Sequence, residues 1–277
     1  MEFFEKLGQV DSRIIYALLI LALLIPLVKP IGLPVSVSEH TTHTYGIIDS
    51  LHPGDTVHID IGYSLSGAAD VQPQTLVVLK HLFAKDVKVI FTGVQVEASM
   101  IIETLMKPWE EAGKQYGVDF CNLGYLPGGE NAVAAYTRDI RKAYPLDFRG
   151  NSTDSLEILS NINNTGELDM FIFFTTQNAD QYVRQVTQYG VPIVGGLINT
   201  IAPQAEPYFQ AGQLKGMLVG LRGGAEYETL MQSPGLGVAS MDAQSMGHLL
   251  IILFILIANL SYFATRDKTP VGKEVSQ

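Results

Sequence analysis

The sequence predicts an α/β protein: a Rossmann-like parallel sheet of about five strands, bracketed by N- and C-terminal transmembrane helices. Three observations carry this reading. Short β-branched and aromatic runs alternate with segments of helical periodicity, the pattern of βαβ units. Two apolar runs, residues 13–33 and 246–264, lie near the ends, and each approaches the ~20 residues a helix needs to cross a bilayer. Between them, residues 45–232 suffice for one domain.

Residues 1–12 form a short tail of mixed charge. The first apolar run extends from Ile14 to Val28 and continues past Lys29 as Pro30-Ile31-Gly32-Leu33, so it spans only if Lys29 snorkels to the interface. Arg13 ahead of the run also suits a cleaved signal peptide; a retained span is the expectation. Residues 34–44, PVSVSEHTTHT, are polar and predict a linker. His40 and His43 stand three apart within it, without a third ligand, so no metal site is expected. After the turn Pro53-Gly54-Asp55, Thr56–Tyr63 alternates as a first strand, with Val57, Ile59 and Ile61 on one face and His58 and Asp60 on the other.

Pro73 suits the first turn of a helix whose apolar stripe is Leu76, Val77, Leu79, Leu82 and Phe83. Residues 87–92 are the second strand, and 96–116 a helix that Pro108 should kink or interrupt. A short third strand, 119–123, runs into a glycine-rich loop and a helix over 130–143. Residues 144–164 are irregular; Asn151 and Asn163 there fit the N-glycosylation triplet. Asp169–Phe174 is apolar almost throughout, as a strand buried on both faces should be. A helix over 179–189 and a fifth strand over 192–196 follow.

Residues 208–232 predict a single helix with Gly212, Gly216, Gly220 and Gly224 along one ridge. Each glycine costs a helix interior roughly 1 kcal/mol relative to alanine. The ridge therefore predicts close backbone approach, either to the sheet or to a second copy in an assembly seam. Residues 233–245 are a second linker, 246–264 the second span and 265–277 the other tail. Asn259, inside that span, is expected to face another helix, because unpaired amides are costly in hydrocarbon.

Charge orients the chain. Lys6 and Arg13 precede the first run, and Arg266, Lys268 and Lys273 follow the second, so both termini are expected in the cytoplasm and the middle domain outside the cell membrane. Residues 34–245 carry 12 Lys and Arg against 23 Asp and Glu, a net charge of −11 that disfavours nucleic acid as a partner. The single Cys121 excludes an internal disulfide and a cysteine-based zinc site.

Ligands of open parallel sheets bind at the carboxyl ends of the strands. The polar residues there are Tyr63, Ser64, Tyr125, Asn131, Gln177, Asn178 and Asn199, which suit either a small neutral ligand or the capping of turns. Residues 61–79, 89–106, 115–137 and 185–214 contain no Lys or Arg, and Gly124–Glu130 fits neither G-x-G-x-x-G nor a Walker motif, so no nucleotide cofactor is expected. A hydrolase would have to use Ser64, whose surroundings miss the nucleophile-elbow spacing by one residue, or the carboxylates Asp60, Asp119 and Glu130.

Two segments, Tyr116-Gly-Val-Asp-Phe-Cys-Asn-Leu-Gly-Tyr-Leu-Pro-Gly128 and Gly212-Gln-Leu-Lys-Gly216 through Gly220-Leu-Arg-Gly-Gly-Ala-Glu-Tyr-Glu228, with Pro207-Tyr208 between them, resemble those of a family of uncharacterised prokaryotic membrane-anchored proteins. The resemblance covers roughly Tyr45–Leu230 and implies prokaryotic origin and a membrane-tethered domain; it supplies no catalytic residues. The leading functional expectation is a non-enzymatic assembly module that associates with itself or with other membrane subunits. An extracytoplasmic domain binding a small neutral ligand is the second, and a membrane-bound hydrolase the third.

Overall fold

The structure, a computed structural model, describes residues 11–266. They fall into two compact units: Pro34–Val238 is the α/β domain, and the residues up to Leu33 join those from Ala239 onward in an apolar helical unit.

The domain is built on six parallel strands: β1 (Thr56–Gly62), β2 (Lys88–Gly93), β3 (Phe120–Tyr125), β4 (Met170–Thr175), β5 (Ile193–Leu197) and β6 (Gly216–Val219). Their order is β3-β2-β1-β4-β5-β6, the doubly wound arrangement in which strand order reverses between β1 and β4. Ile59 sits opposite Phe91 of β2 and Ile172 of β4. The predicted alternation holds: Val57, Ile59 and Ile61 join one core layer, while His58 faces the other beside Tyr136 and Phe171. β4 is buried along its whole length, supplying Ile172 and Phe174 to one layer and Phe171 and Phe173 to the other.

Helices α2 (Glu39–Asp49), α3 (Ala68–Ala84), α4 (Ala98–Glu111) and α9 (Gly220–Leu230) contribute to the first layer. Helices α5 (Glu130–Arg138), α6 (Ile140–Ala143), α7 (Asp180–Val186) and α8 (Ala202–Gln210) contribute to the second. Pro73 and Pro108 lie inside α3 and α4.

The glycine ridge does not form. α8 ends at Gln210, Gly212 turns the chain with φ +70°, residues 216–219 pair with β5 as a sixth strand, and Gly220 starts α9 with φ +57°. A continuous helix is excluded by those positive φ values and by the backbone groups that β5 offers at its outer edge. Close approach survives glycine by glycine. A Cβ at Gly216 would lie 2.7 Å from the Thr44 Cα, one at Gly220 2.5 Å from the Asn199 amide, and one at Gly224 3.1 Å from the Gln74 nitrogen.

The expected linker over 34–44 is half helix. Ser38 caps α2, and the buried Glu226 carboxylate accepts from the Ser38 N–H (3.0 Å), the Ser38 hydroxyl (2.6 Å) and the Thr41 hydroxyl (2.7 Å). The second linker is helical too. α10 (Leu236–Arg266) starts inside it, and the Glu228 carboxylate accepts from the N–H groups of Gly235, Gly237 and Val238. Both carboxylates answer the unpaired amides that begin a helix.

Among the described residues, Leu236–Phe263 of α10 is the stretch long and apolar enough to cross a membrane. The expected span over 13–33 is corrected: helix α1 covers Ser12–Val28, 17 residues, or about 25 Å against the ~30 Å of a hydrocarbon core. It stops because Pro30 disfavours helical backbone at Lys29, which is extended (φ −140°, ψ 101°). The buried Asp242 carboxylate then gathers the N–H groups of Ile31 (2.7 Å), Gly32 (2.8 Å) and Leu33 (3.0 Å). Asn259 is exposed, and its amide donates to the Ile255 carbonyl of its own helix at 2.8 Å, not to a second helix.

Candidate functional site

The reversal of strand order between β1 and β4 is where such sheets open a crevice. Here side chains occupy it. A Cβ at Gly62 would meet the Tyr182 hydroxyl at 2.5 Å and the Thr175 hydroxyl at 2.9 Å, and Gly67 lies directly against Thr176. Tyr63 is fully buried, and Ser64 bonds to Ser66 at 2.8 Å.

Behind the crevice lies a sealed polar network. Asp60 is fully buried and accepts from the hydroxyls of Thr92 (2.8 Å), Tyr182 (2.8 Å) and Tyr136 (3.0 Å). Thr92 spends its one proton on Asp60, so its oxygen accepts from Nε2 of His58 at 2.7 Å, which assigns His58 the neutral Nε2–H tautomer. Burial lowers the His58 pKa to about 3. Burial also raises that of Asp60, against the pull of its three hydroxyl donors. The network ties β1 and β2 to α5 and α7, and Ser64 is not among the partners of Asp60.

The acids proposed for hydrolysis are likewise apart. Glu130 pairs with Arg184 at 2.8 Å, and bonds from Arg184 and Gln185 hold its carboxyl down to about 2. Asp119 accepts from the Gln115 N–H at 2.7 Å. Of the residues predicted to contact ligand, Asn178 caps the turn into α7 by accepting from the Asp180 N–H, Gln177 donates its N–H to the Thr175 hydroxyl, and Asn131 is exposed on α5. Asn199 lines a cleft of about 440 Å³ at the ends of β5 and β6. In that cleft His40 lies 3.0 Å from the Glu206 carboxylate, and Arg222 pairs with Glu226 at 2.6 Å. Tyr125 belongs to a different cavity.

That cavity, about 660 Å³, lies beside the end of β3, and a second of about 470 Å³ lies between α4 and the loop after β1. They share Val96 and Met100, which stand at the boundary between them, so the two adjoin as a trough along the carboxyl ends of β1, β2 and β3. Its walls carry Leu65 (68 % exposed), Val96 (73 %), Met100 (63 %), Leu146 (59 %) and Phe148 (43 %). Within the α/β domain, Leu236 is the one other large apolar side chain exposed to this degree. Apolar residues scattered singly over a surface need no explanation, but five in one trough do.

The trough is also built. The Leu65 N–H donates to the Glu97 carboxylate at 3.0 Å, fixing the loop after β1 against the start of α4. The Phe148 N–H donates to the Asn122 carbonyl at 2.9 Å, holding the 146–148 segment on the outer edge of β3. Arg149 pairs with Glu103 and Glu110, each at 2.9 Å, and stacks 3.9 Å from the Tyr116 ring centre. These five apolar residues lie outside the polar set expected at the strand ends. Val96, an apolar residue three positions past the end of β2, was the available signal.

No protein-family model matches the chain, and no curated protein matches it at a significant level.

Proposed function

We propose that the chain is a membrane-tethered, non-enzymatic assembly module whose α/β domain docks another polypeptide in the trough formed by Leu65, Val96, Met100, Leu146 and Phe148. The single observation that carries the reading is the concentration of exposed large apolar side chains in that trough on an otherwise acidic domain. Leaving such groups in water forgoes about 25 cal/mol per Å² of apolar surface that a partner would bury. α10 provides the tether. The basic residues Arg266 at its end and Lys268 and Lys273 after it, with none between Arg222 and Arg266, favour a cytoplasmic C-terminus and an extracytoplasmic domain. Asn259, exposed on α10, gives a neighbouring helix an amide to bond.

The test is the size of the particle extracted from native membranes in mild detergent. The expected mass exceeds one 30.3 kDa chain with its detergent, and Val96→Asp/Met100→Asp returns it to a single chain without changing its melting temperature. A wild-type particle that is monomeric and free of other subunits overturns the reading.

A second reading, a binding domain for a small neutral ligand, draws on the cavity beside β3, whose volume lies in the range of small-molecule sites and which Ser99 and Tyr125 edge with polar groups. A small molecule that co-purifies with the wild-type chain and is lost on Leu126→Trp would favour it.

A further inference from the structure

The trough's chemistry specifies its partner. We infer that it receives a basic amphipathic helix of another protein, an inference that rests on the docking reading above.

Three observations narrow the occupant. The first is charge. Of the residues lining the two adjoining cavities, the charged ones are the carboxylates Glu97, which is exposed, and Asp147, which is buried and bonded by Tyr116 and Asn151, and none is basic. The nearest cation in sequence, Arg149, is already committed to Glu103, Glu110 and the Tyr116 ring. A cationic flank therefore gains from docking, whereas an acidic one meets uncompensated repulsion.

The second is backbone availability. An extended peptide would add to the sheet at its outer strand, β3, but the Asn122 carbonyl there is taken by the Phe148 N–H, and Leu146 bridges Ser152 in the covering segment. With the edge covered, affinity has to come from side chains. The two cavities adjoining at Val96 and Met100 suit apolar anchors at i, i+3/i+4 and i+7 of a helix.

The third concerns a second copy of this chain. Residues 34–245 carry a net charge of −11, so two domains meeting face to face would oppose each other, most strongly at low salt. A basic partner turns the same field into attraction.

The experiment uses the full chain in nanodiscs of neutral phosphatidylcholine and two labelled 18-residue helical peptides. Both carry the same leucine face; one has lysine and the other glutamate on its polar face, and empty nanodiscs correct for lipid binding. The lysine peptide is expected to bind at least about tenfold more tightly than its glutamate twin at low salt, a preference that shrinks as salt rises. Val96→Asn/Met100→Asn should weaken the lysine peptide strongly, and Glu97→Gln, which keeps an acceptor for the Leu65 N–H but no charge, should narrow the preference.

Equal binding of the twins, or a preference for the glutamate peptide, with both still lost on Val96→Asn/Met100→Asn, overturns the inference while leaving the docking reading standing. Binding of neither peptide also overturns it, and the docking reading is then judged by the native particle mass. A concentration-dependent dimer that Val96→Asn/Met100→Asn abolishes would assign the trough to a second copy instead and refute the basic-helix partner.

Discussion

At the scale of single residues, the buried network around Asp60 makes stability depend on pH in two opposed ways. The folded pKa of His58, about 3, lies below its unfolded value of 6.5. Folding therefore excludes that proton: the stability His58 contributes is full above pH 6.5 and is lost as pH falls toward 3. Asp60 has the opposite sign. Its pKa is raised on folding, so its contribution is full below 3.8 and is lost as pH rises through the raised value. Between pH 6.5 and 5 the His58 contribution should remove up to about 1.4 kcal/mol per pH unit. As pH falls across that window, the melting temperature should change less favourably in the wild type than in His58→Asn; identical slopes would contradict a His58 held neutral by burial. Glycine packing gives a second residue-scale prediction, made by two neighbours. Gly216→Ala pushes a Cβ to 2.7 Å from the Thr44 Cα, backbone that cannot swing aside, and should cost about 1–3 kcal/mol. Gly46→Ala, in the helix that carries Thr44 but with nothing within 4 Å, should instead stabilise by about 0.4–1 kcal/mol. Denaturant titration of the two variants decides; a cost at Gly46, or none at Gly216, would refute this account of the packing.

At the scale of elements, the carboxylates Glu226, Glu228 and Asp242 each answer backbone N–H groups that a helix start or an extended segment leaves open. Asp242 is the most demanding, because it is buried and serves three amides in a row. Asp242→Asn replaces one acceptor oxygen by a donor that would face those N–H groups, so residues 31–33 should exchange their amide hydrogens at least about tenfold faster. Hydrogen exchange followed by mass spectrometry reads this directly, and unchanged protection would show that the segment is held by something else. The same elements show what the sequence could and could not disclose. Five strands were legible because their apolar runs are long and bounded by turns, and β4 announced its burial on both faces. β6 was not, since Gly216–Val219 is four residues long and glycines at period four on either side mimic a helical ridge. Only the backbone groups of β5, invisible in a one-dimensional pattern, convert it into a strand. Similarly, α2 begins in a run of Ser, Thr and His that looks like a linker, and its cap acceptor, Glu226, lies 185 residues from the Thr41 it binds. The polar residues at strand ends scatter in space: Asn178 caps a turn, Tyr63 is buried, Asn131 is exposed, and Tyr125 and Asn199 line separate cavities, whereas the trough is made of apolar side chains that convergence in space alone reveals.

At the scale of the molecule, exposed apolar surface among the described residues is concentrated on the helices α1 and α10 and in the trough. Along α10, Leu249, Ile251, Ile252, Leu253, Ile255 and Leu256 are all about half exposed, the all-round apolar surface that lipid contact suits. In the α/β domain the exposure is confined almost entirely to the trough, a shape suited to a protein partner. If α10 is the anchor, lysines placed in its middle should release the chain, since each costs about 2.5–3.5 kcal/mol at the centre of a span. Leu253→Lys/Leu256→Lys should therefore move the protein from the carbonate-resistant membrane pellet to the supernatant. Paired lysines in α1, Leu19→Lys/Leu23→Lys, should leave it in the pellet, because a 17-residue helix ending at Lys29-Pro30 does not supply the crossing. The Val96→Asp/Met100→Asp trough variant should also remain in the pellet, its assembly lost but its anchor intact. Release by the α1 pair would make that short helix part of the anchor, and release by the trough variant would mean that a partner, not α10, holds this protein at the membrane.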